Sequence, residues 1–83
     1  MIERPLSEAV RNLKLGKYEH YKGGEYQVLG VATHSESKEE LVIYQALYGD
    51  GQIWVRPLAM FIDEIVFGGT TRPRFKFTRD NII

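Results

Sequence analysis

His20, His34, Glu36, Tyr44, Tyr48, Trp54 and Arg56 are the side chains here whose types could do chemistry. His34-Ser35-Glu36 holds a hydroxyl beside an imidazole and a carboxylate, the raw material of nucleophilic catalysis. Adjacent residues on one loop rarely converge as nucleophile and base, and no separate orienting carboxylate is identifiable. The competing reading is a polar loop, His34 to Glu39, whose Ser and Glu bond nearby backbone N–H groups. His20 and His34 could share a metal with Glu36 or Asp50. No metal-ligand spacing supports that, and the chain has no Cys, so no metal or other cofactor is expected. Gly49-Asp50-Gly51 precedes a strand-like run instead of a helix, so it reads as a turn and not as a phosphate loop.

Tyr44, Tyr48, Trp54 and Arg56 form the more informative set. Aromatic rings interleaved with Arg on a small β domain can stack bases or grip a peptide. Against this stands an ordinary structural role, with Tyr44 and Trp54 in the core and Arg56 bound to a carboxylate.

The elements that must position these residues are short strands. Tyr44 to Pro57 reads as a hairpin, two β-branched and aromatic runs around the Gly-Asp-Gly turn. Residues 17–22 and 25–33 read as a second hairpin around Gly23-Gly24, with Lys22 opposite Glu25. Gly30, inside the second of these strands, predicts a bulge or sharp bend. Pro57 ends its strand, and Leu58-Ala59-Met60-Phe61 predicts a single helical turn. Ile65-Val66-Phe67 and Phe75-Lys76-Phe77 predict two further strands joined through Gly68 to Thr71. Ahead of all these, Leu6, Ala9, Val10 and Leu13 recur at helical spacing, predicting a helix over 5–14 that must dock on something to be stable. Hairpin-joined strands, then one helical turn before a final strand, is an SH3-like pattern. The expected fold is therefore mainly β, a small SH3-like barrel of 5–6 short antiparallel strands with a short N-terminal helix. Residues 1–14 form the helical extension, 15–78 the barrel and 79–83 a tail.

Register reasoning assigns the faces. Pairing Tyr48 with Gln52 sets Tyr44 opposite Arg56, and pairing Val31 with Val42 sets Leu29 opposite Tyr44. One face then carries Leu41, Ile43, Leu47, Ile53 and Val55, expected with Val28 to form the buried interior. The other carries Leu29, Val31, Val42, Tyr44, Trp54 and Arg56, and the N-terminal helix is expected to cover it. A slip of one residue would exchange the two sets.

Bulk properties narrow the function classes. Eighty-three residues suit one domain with a small core. No apolar run is long enough to span a membrane, no signal-peptide core follows Met1, and cysteine is absent, which together predict a cytoplasmic protein. Net charge is zero but unevenly placed. Arg4, Arg11, Lys14, Lys17 and Lys22 lie near one end, and Arg72, Arg74, Lys76 and Arg79 near the other, around an acidic middle. Such ends either fold back on the middle or contact phosphate or an acidic partner.

The ordered string His20-Tyr21-Lys22-Gly23, Val28-Leu29-Gly30-Val31-Ala32, His34-Ser35-Glu36, Glu40-Leu41-Val42, Tyr44, Leu47-Tyr48-Gly49, Trp54-Val55-Arg56-Pro57-Leu58, Met60-Phe61 and Pro73-Arg74-Phe75 resembles the bacterial domain-of-unknown-function family 1653 (DUF1653). The resemblance covers roughly residues 15–77. It implies a small soluble bacterial domain and no particular activity. The functional expectation is a non-catalytic binding module that uses the aromatic–Arg face, with a protein or peptide as partner. Zero net charge weighs against nucleic acid, which the basic ends keep as a lesser reading. The alternatives are a homodimer or other self-associating structural domain, and a small ligand-modifying enzyme built on His34, Glu36 and Arg56.

Overall fold

The computed structural model describes residues 7–80. A short helix, α1 (Glu8–Asn12), precedes four strands: β1 (Gly16–His20), β2 (Glu25–Thr33), β3 (Glu40–Ala46) and β4 (Ile53–Pro57). Then come α2 (Leu58–Phe61), β5 (Glu64–Phe67), β6 (Thr70–Pro73) and β7 (Phe75–Asp80). The main sheet is antiparallel with strand order β4-β3-β2-β1-β7, and β5 and β6 make a separate two-stranded ribbon. The helical turn at Leu58 and the strands around Val66 and Phe75 lie where the sequence predicts them. β6 was not foreseen, because Pro73 and a Gly-Gly-Thr-Thr run read as loop.

The fold is mainly β, as expected, but the sheet does not close, so the structure does not confirm a barrel. Its edges, β4 and β7, are not hydrogen-bonded to each other; the chain leaving β4 turns through α2 into the ribbon instead of pairing back.

Cross-strand pairs decide which side is inside. Val28 opposes Tyr44, Tyr44 opposes Trp54, Val31 opposes Val42 and Val42 opposes Arg56, while Tyr18 opposes both Tyr26 and Phe77. These residues share one face, and the core lies there: Tyr18, Val28, Val42, Tyr44, Leu58, Phe61 and Phe75 are all buried. The expected aliphatic interior is therefore on the wrong side. Val28 is buried, but Ile53 and Val55 are each 60% exposed and Leu47 is 42% exposed. The physical reason is volume. Phe61 stacks on Phe75 with centroids 4.2 Å apart, and Tyr18 and Tyr44 contact Phe61 at 5.2 and 5.5 Å. Rings of this size bury more apolar area than the short aliphatics of the opposite face.

Local devices fix the register. Beta-bulging at Leu29, between the Val28–Tyr44 and Gly30–Ile43 pairs, confirms the irregularity expected at Gly30 and puts Val28, not Leu29, opposite Tyr44. The first hairpin is shifted by its turn: Glu19, not Lys22, opposes Glu25, and Gly23 and Gly24 take φ of 97° and 90°. The second turn is longer than foreseen, and Gly49 and Gly51 take φ of 57° and 67°. Tyr44 thereby lies opposite Trp54 instead of Arg56.

α1 is capped by Ser7, whose Oγ accepts from Val10 N–H at 3.1 Å. The same hydroxyl donates to Glu40 Oε1 at 2.8 Å, and the Ser7 N–H donates to Oε2. Ala9, Val10 and Leu13 pack against the core, so the helix docks on its own domain. Pro5 and Leu6, the start of the expected helix, lie outside the described residues, as do residues 81–83 of the expected tail. Arg79 and Asp80 pair with Lys17 and Gly16 as part of β7.

Candidate binding surface on the aromatic–arginine face

Arg56 lies on the core face of β4, two residues beyond Trp54. Its Nε donates to the Tyr44 hydroxyl at 3.3 Å, and its guanidinium lies over the Phe75 ring, 5.5 Å from the centroid. This is a cation–π contact on a partly desolvated ring. Among the described residues the one salt bridge is Arg74–Asp63, at 2.7 Å, so Arg56 has no carboxylate partner. Its two terminal nitrogens have no protein acceptor among those residues.

Tyr44 itself is core, edge-on to Tyr26 and Phe75. Tyr48 is exposed on the turn after β3, and its hydroxyl is hydrogen-bonded to that of Tyr26. Burial, reinforced by that hydrogen bond, pushes the Tyr26 phenol up to about 12. Trp54 is 49% exposed, so the full cover expected from the N-terminal helix is not there.

His20 joins the same neighbourhood from β1. It opposes Phe75 and contacts that ring at 4.8 Å. Its Nδ1 accepts from Lys22 N–H at 3.2 Å, so the neutral ring carries its proton on Nε2. Burial, and then the positive charges of Arg56, Arg74 and Lys22, lower its pKa below the usual imidazole value. Asp63 balances part of this charge. Its bidentate hydrogen bonds from Arg74, at 2.7 and 3.2 Å, hold the carboxyl below its ordinary pKa.

His34 and Glu36 stand apart from this set, on the exposed loop between β2 and β3. His34 Nδ1 accepts from the N–H groups of Glu36 and Ser37 at 3.1 and 3.2 Å, and Ser37 Oγ accepts from Glu39 N–H. The imidazole is spent on shaping the turn, as Lys38 is by its φ of 66°. No three His, Asp or Glu side chains gather as a metal set among the described residues. No helix among them is long and apolar enough to cross a membrane.

The free edge of β4 completes the surface. Ala46 N–H donates to the opposed Gln52 carbonyl, so alternation makes Tyr44–Trp54 and Val42–Arg56 hydrogen-bonded pairs too. Ile53 and Val55 therefore turn their N–H and C=O groups outward. Pro57, on the same phase, has no N–H to leave unpaired.

The family model for DUF1653, proteins of unknown function, matches residues 16–77. The chain belongs to this family. Its fold is similar to the crystal structure of a DUF1653 protein from Bordetella bronchiseptica, with 29% identity and a TM-score of 0.79 over 89% of this chain and 97% of that one. No curated protein matches. Every residue singled out above, from His20 to Arg56, falls inside the DUF1653 match, whereas α1 precedes it. Within the DUF1653 domain, sequence reasoning missed Tyr26, Phe75 and the Asp63–Arg74 pair. Pro73-Arg74-Phe75 was visible as a family motif, but only tertiary structure brings it to Arg56 and His20.

Proposed function

We propose that this domain is a non-catalytic binding module that takes an extended peptide segment of a partner protein along β4. The observation that carries the reading is the open β4 edge, where outward backbone groups at Ile53 and Val55 flank an exposed Trp54. Such an edge is a template for strand addition, with backbone bonds giving affinity and alternate side chains giving specificity. On one face the peptide meets Trp54 and Arg56, which has no salt bridge among the described residues, and these suit an apolar and an acidic side chain. On the other it meets Ile53 and Val55, which suit aliphatic ones. The strand order, with one helical turn and then a return strand beside β1, supports an SH3-like reading of the architecture.

A displayed library of random 12-residue peptides tests this. Val55→Pro removes an outward N–H without removing a ladder bond. Enriched peptides should bind that variant and Trp54→Ala at least tenfold more weakly than the parent. Peptides that bind Val55→Pro as well as the parent, or no enrichment at all, would overturn the reading. A dimer by light scattering, abolished by Val55→Pro, would instead assign the edge to a second copy.

A further inference from the structure

A second surface lies at the other end of the sheet, by β1 and the edge strand β7. A cleft of about 810 Å³ opens between the β1–β2 turn and the β5–β6 ribbon. Its walls combine two kinds of side chain. Tyr21 and Phe67 meet edge-to-face at 5.4 Å, and Phe67 is 47% exposed. Around them stand Lys22, Arg72 and Lys76, against a single carboxylate, Glu19. The Lys22 ammonium lies over the Tyr21 ring at 5.6 Å, and the Arg72 guanidinium over Phe67 at 5.5 Å. None of the three cations has a salt-bridge partner among the described residues. The fold, not the sequence, assembles this site. Lys22 belongs to the basic run near one end of the chain, and Arg72 and Lys76 to the run near the other. They converge because β1 pairs with β7 and because the Tyr21 N–H donates to the Arg74 carbonyl at 2.9 Å.

We propose that this cleft binds a nucleotide unit, its base against Tyr21 and Phe67 and its phosphate among Lys22, Arg72 and Lys76. A ring wall fits a base, whose face is planar and apolar whatever its identity. Three cations beside that wall fit the phosphate on the same unit. Among the described residues no polar side chain is buried, so none is aimed from the interior into the cleft to read a base edge, and recognition is tolerant of sequence. The ligand is either a free nucleotide or one unit of a single strand.

Fluorescence anisotropy with labelled twelve-residue oligothymidylate, and amide chemical shifts with adenosine monophosphate, separate those two sources. Binding of either probe at the Tyr21 and Phe67 amides supports the site. One phosphate neutralised on a single strand should weaken oligonucleotide binding about 2.6-fold between 50 and 200 mM salt. Arg72→Glu should abolish binding. Phe67→Leu keeps the apolar volume but not the ring, and should weaken binding several-fold while thermal melting shows it folded. Neither probe binding at 50 mM salt would overturn the proposal. So would unchanged affinity in folded Phe67→Leu and Arg72→Glu, or equal affinity for polyglutamate of the same length.

Discussion

Arg56 and Tyr44 are joined diagonally across the β3–β4 hairpin: Arg56 Nε reaches the Tyr44 hydroxyl at 3.3 Å while the guanidinium rests over Phe75. A buried phenol thus holds a partly buried cation that has no salt bridge among the described residues. Tyr44→Phe should cost about 1 kcal/mol, below the usual range for a hydrogen bond to a charged group because the contact is long. Urea denaturation measures it, and a variant as stable as the parent would show that the bond contributes nothing.

The core prediction separates the two sheet faces. Phe61→Ala should cost about 3–5 kcal/mol, since Phe61 is 1% exposed and stacked on Phe75. Val55→Ala, on the outer face, should cost about 0.5 kcal/mol or less. Equal losses would show that both faces are packed in solution.

That contrast shows what the sequence could convey. Turn and breaker residues act locally, so the helical turn at Leu58, the stop at Pro57, the irregularity at Gly30 and the Val31–Val42 pair could all be read directly. Sidedness could not. Leu41 to Tyr44 is apolar at every position, so alternation has no contrast to report. What selects Val42 and Tyr44 over Leu41 and Ile43 is the ring volume of Phe61 and Phe75, far along the chain. Of the candidate site, Trp54 and Arg56 were legible as a pair. The exposure of Trp54 was not, because it depends on where α1 comes to rest.

Two glycines should respond oppositely to alanine. At Gly24, φ is +90° and a Cβ would meet Tyr48 Cε1 at 3.1 Å. Gly24→Ala should destabilise by more than about 1 kcal/mol. Gly30 has no such φ and no atom within 4 Å of a Cβ, so Gly30→Ala should be neutral or stabilising by up to about 1 kcal/mol. Thermal melts of the two variants check the pair, and a loss at Gly30 matching that at Gly24 would contradict it.

Stability should fall on acidification through the ordinary imidazole range. The His20 pKa is lowered in the folded state, so below about pH 6.5 the unfolded chain takes up a proton that the folded chain resists. Above that value the two states carry the same charge at this position and His20 adds no pH dependence. Urea midpoints at pH 7.5 and 5.5 should show a drop that shrinks in His20→Gln. A drop of the same size in the variant would assign the effect to other groups.

Glu40 clasps Ser7 through both carboxylate oxygens, so it should hold α1 against the sheet. Ser7→Ala loses the cap as well as the clasp and should cost about 1–2 kcal/mol. Glu40→Gln should cost less while speeding hydrogen exchange at the Val10 and Arg11 amides. Exchange unchanged in Glu40→Gln would mean that packing of Ala9, Val10 and Leu13 alone retains the helix.

The pairing of β1 with β7 also sets an order of assembly. Strands β1 to β4 follow one another through short connections and can zip together as they are synthesised. The remaining edge of β1 cannot be satisfied so early. The Thr78 hydroxyl that bonds the Lys17 carbonyl lies 61 residues downstream of it. Until β7 emerges, a growing chain exposes β1 as a second open edge beside Tyr18, whose ring still waits for Phe77. This leaves β1 open to mispairing on the ribosome for as long as β7 is missing, and makes β7 docking a long-range step of folding.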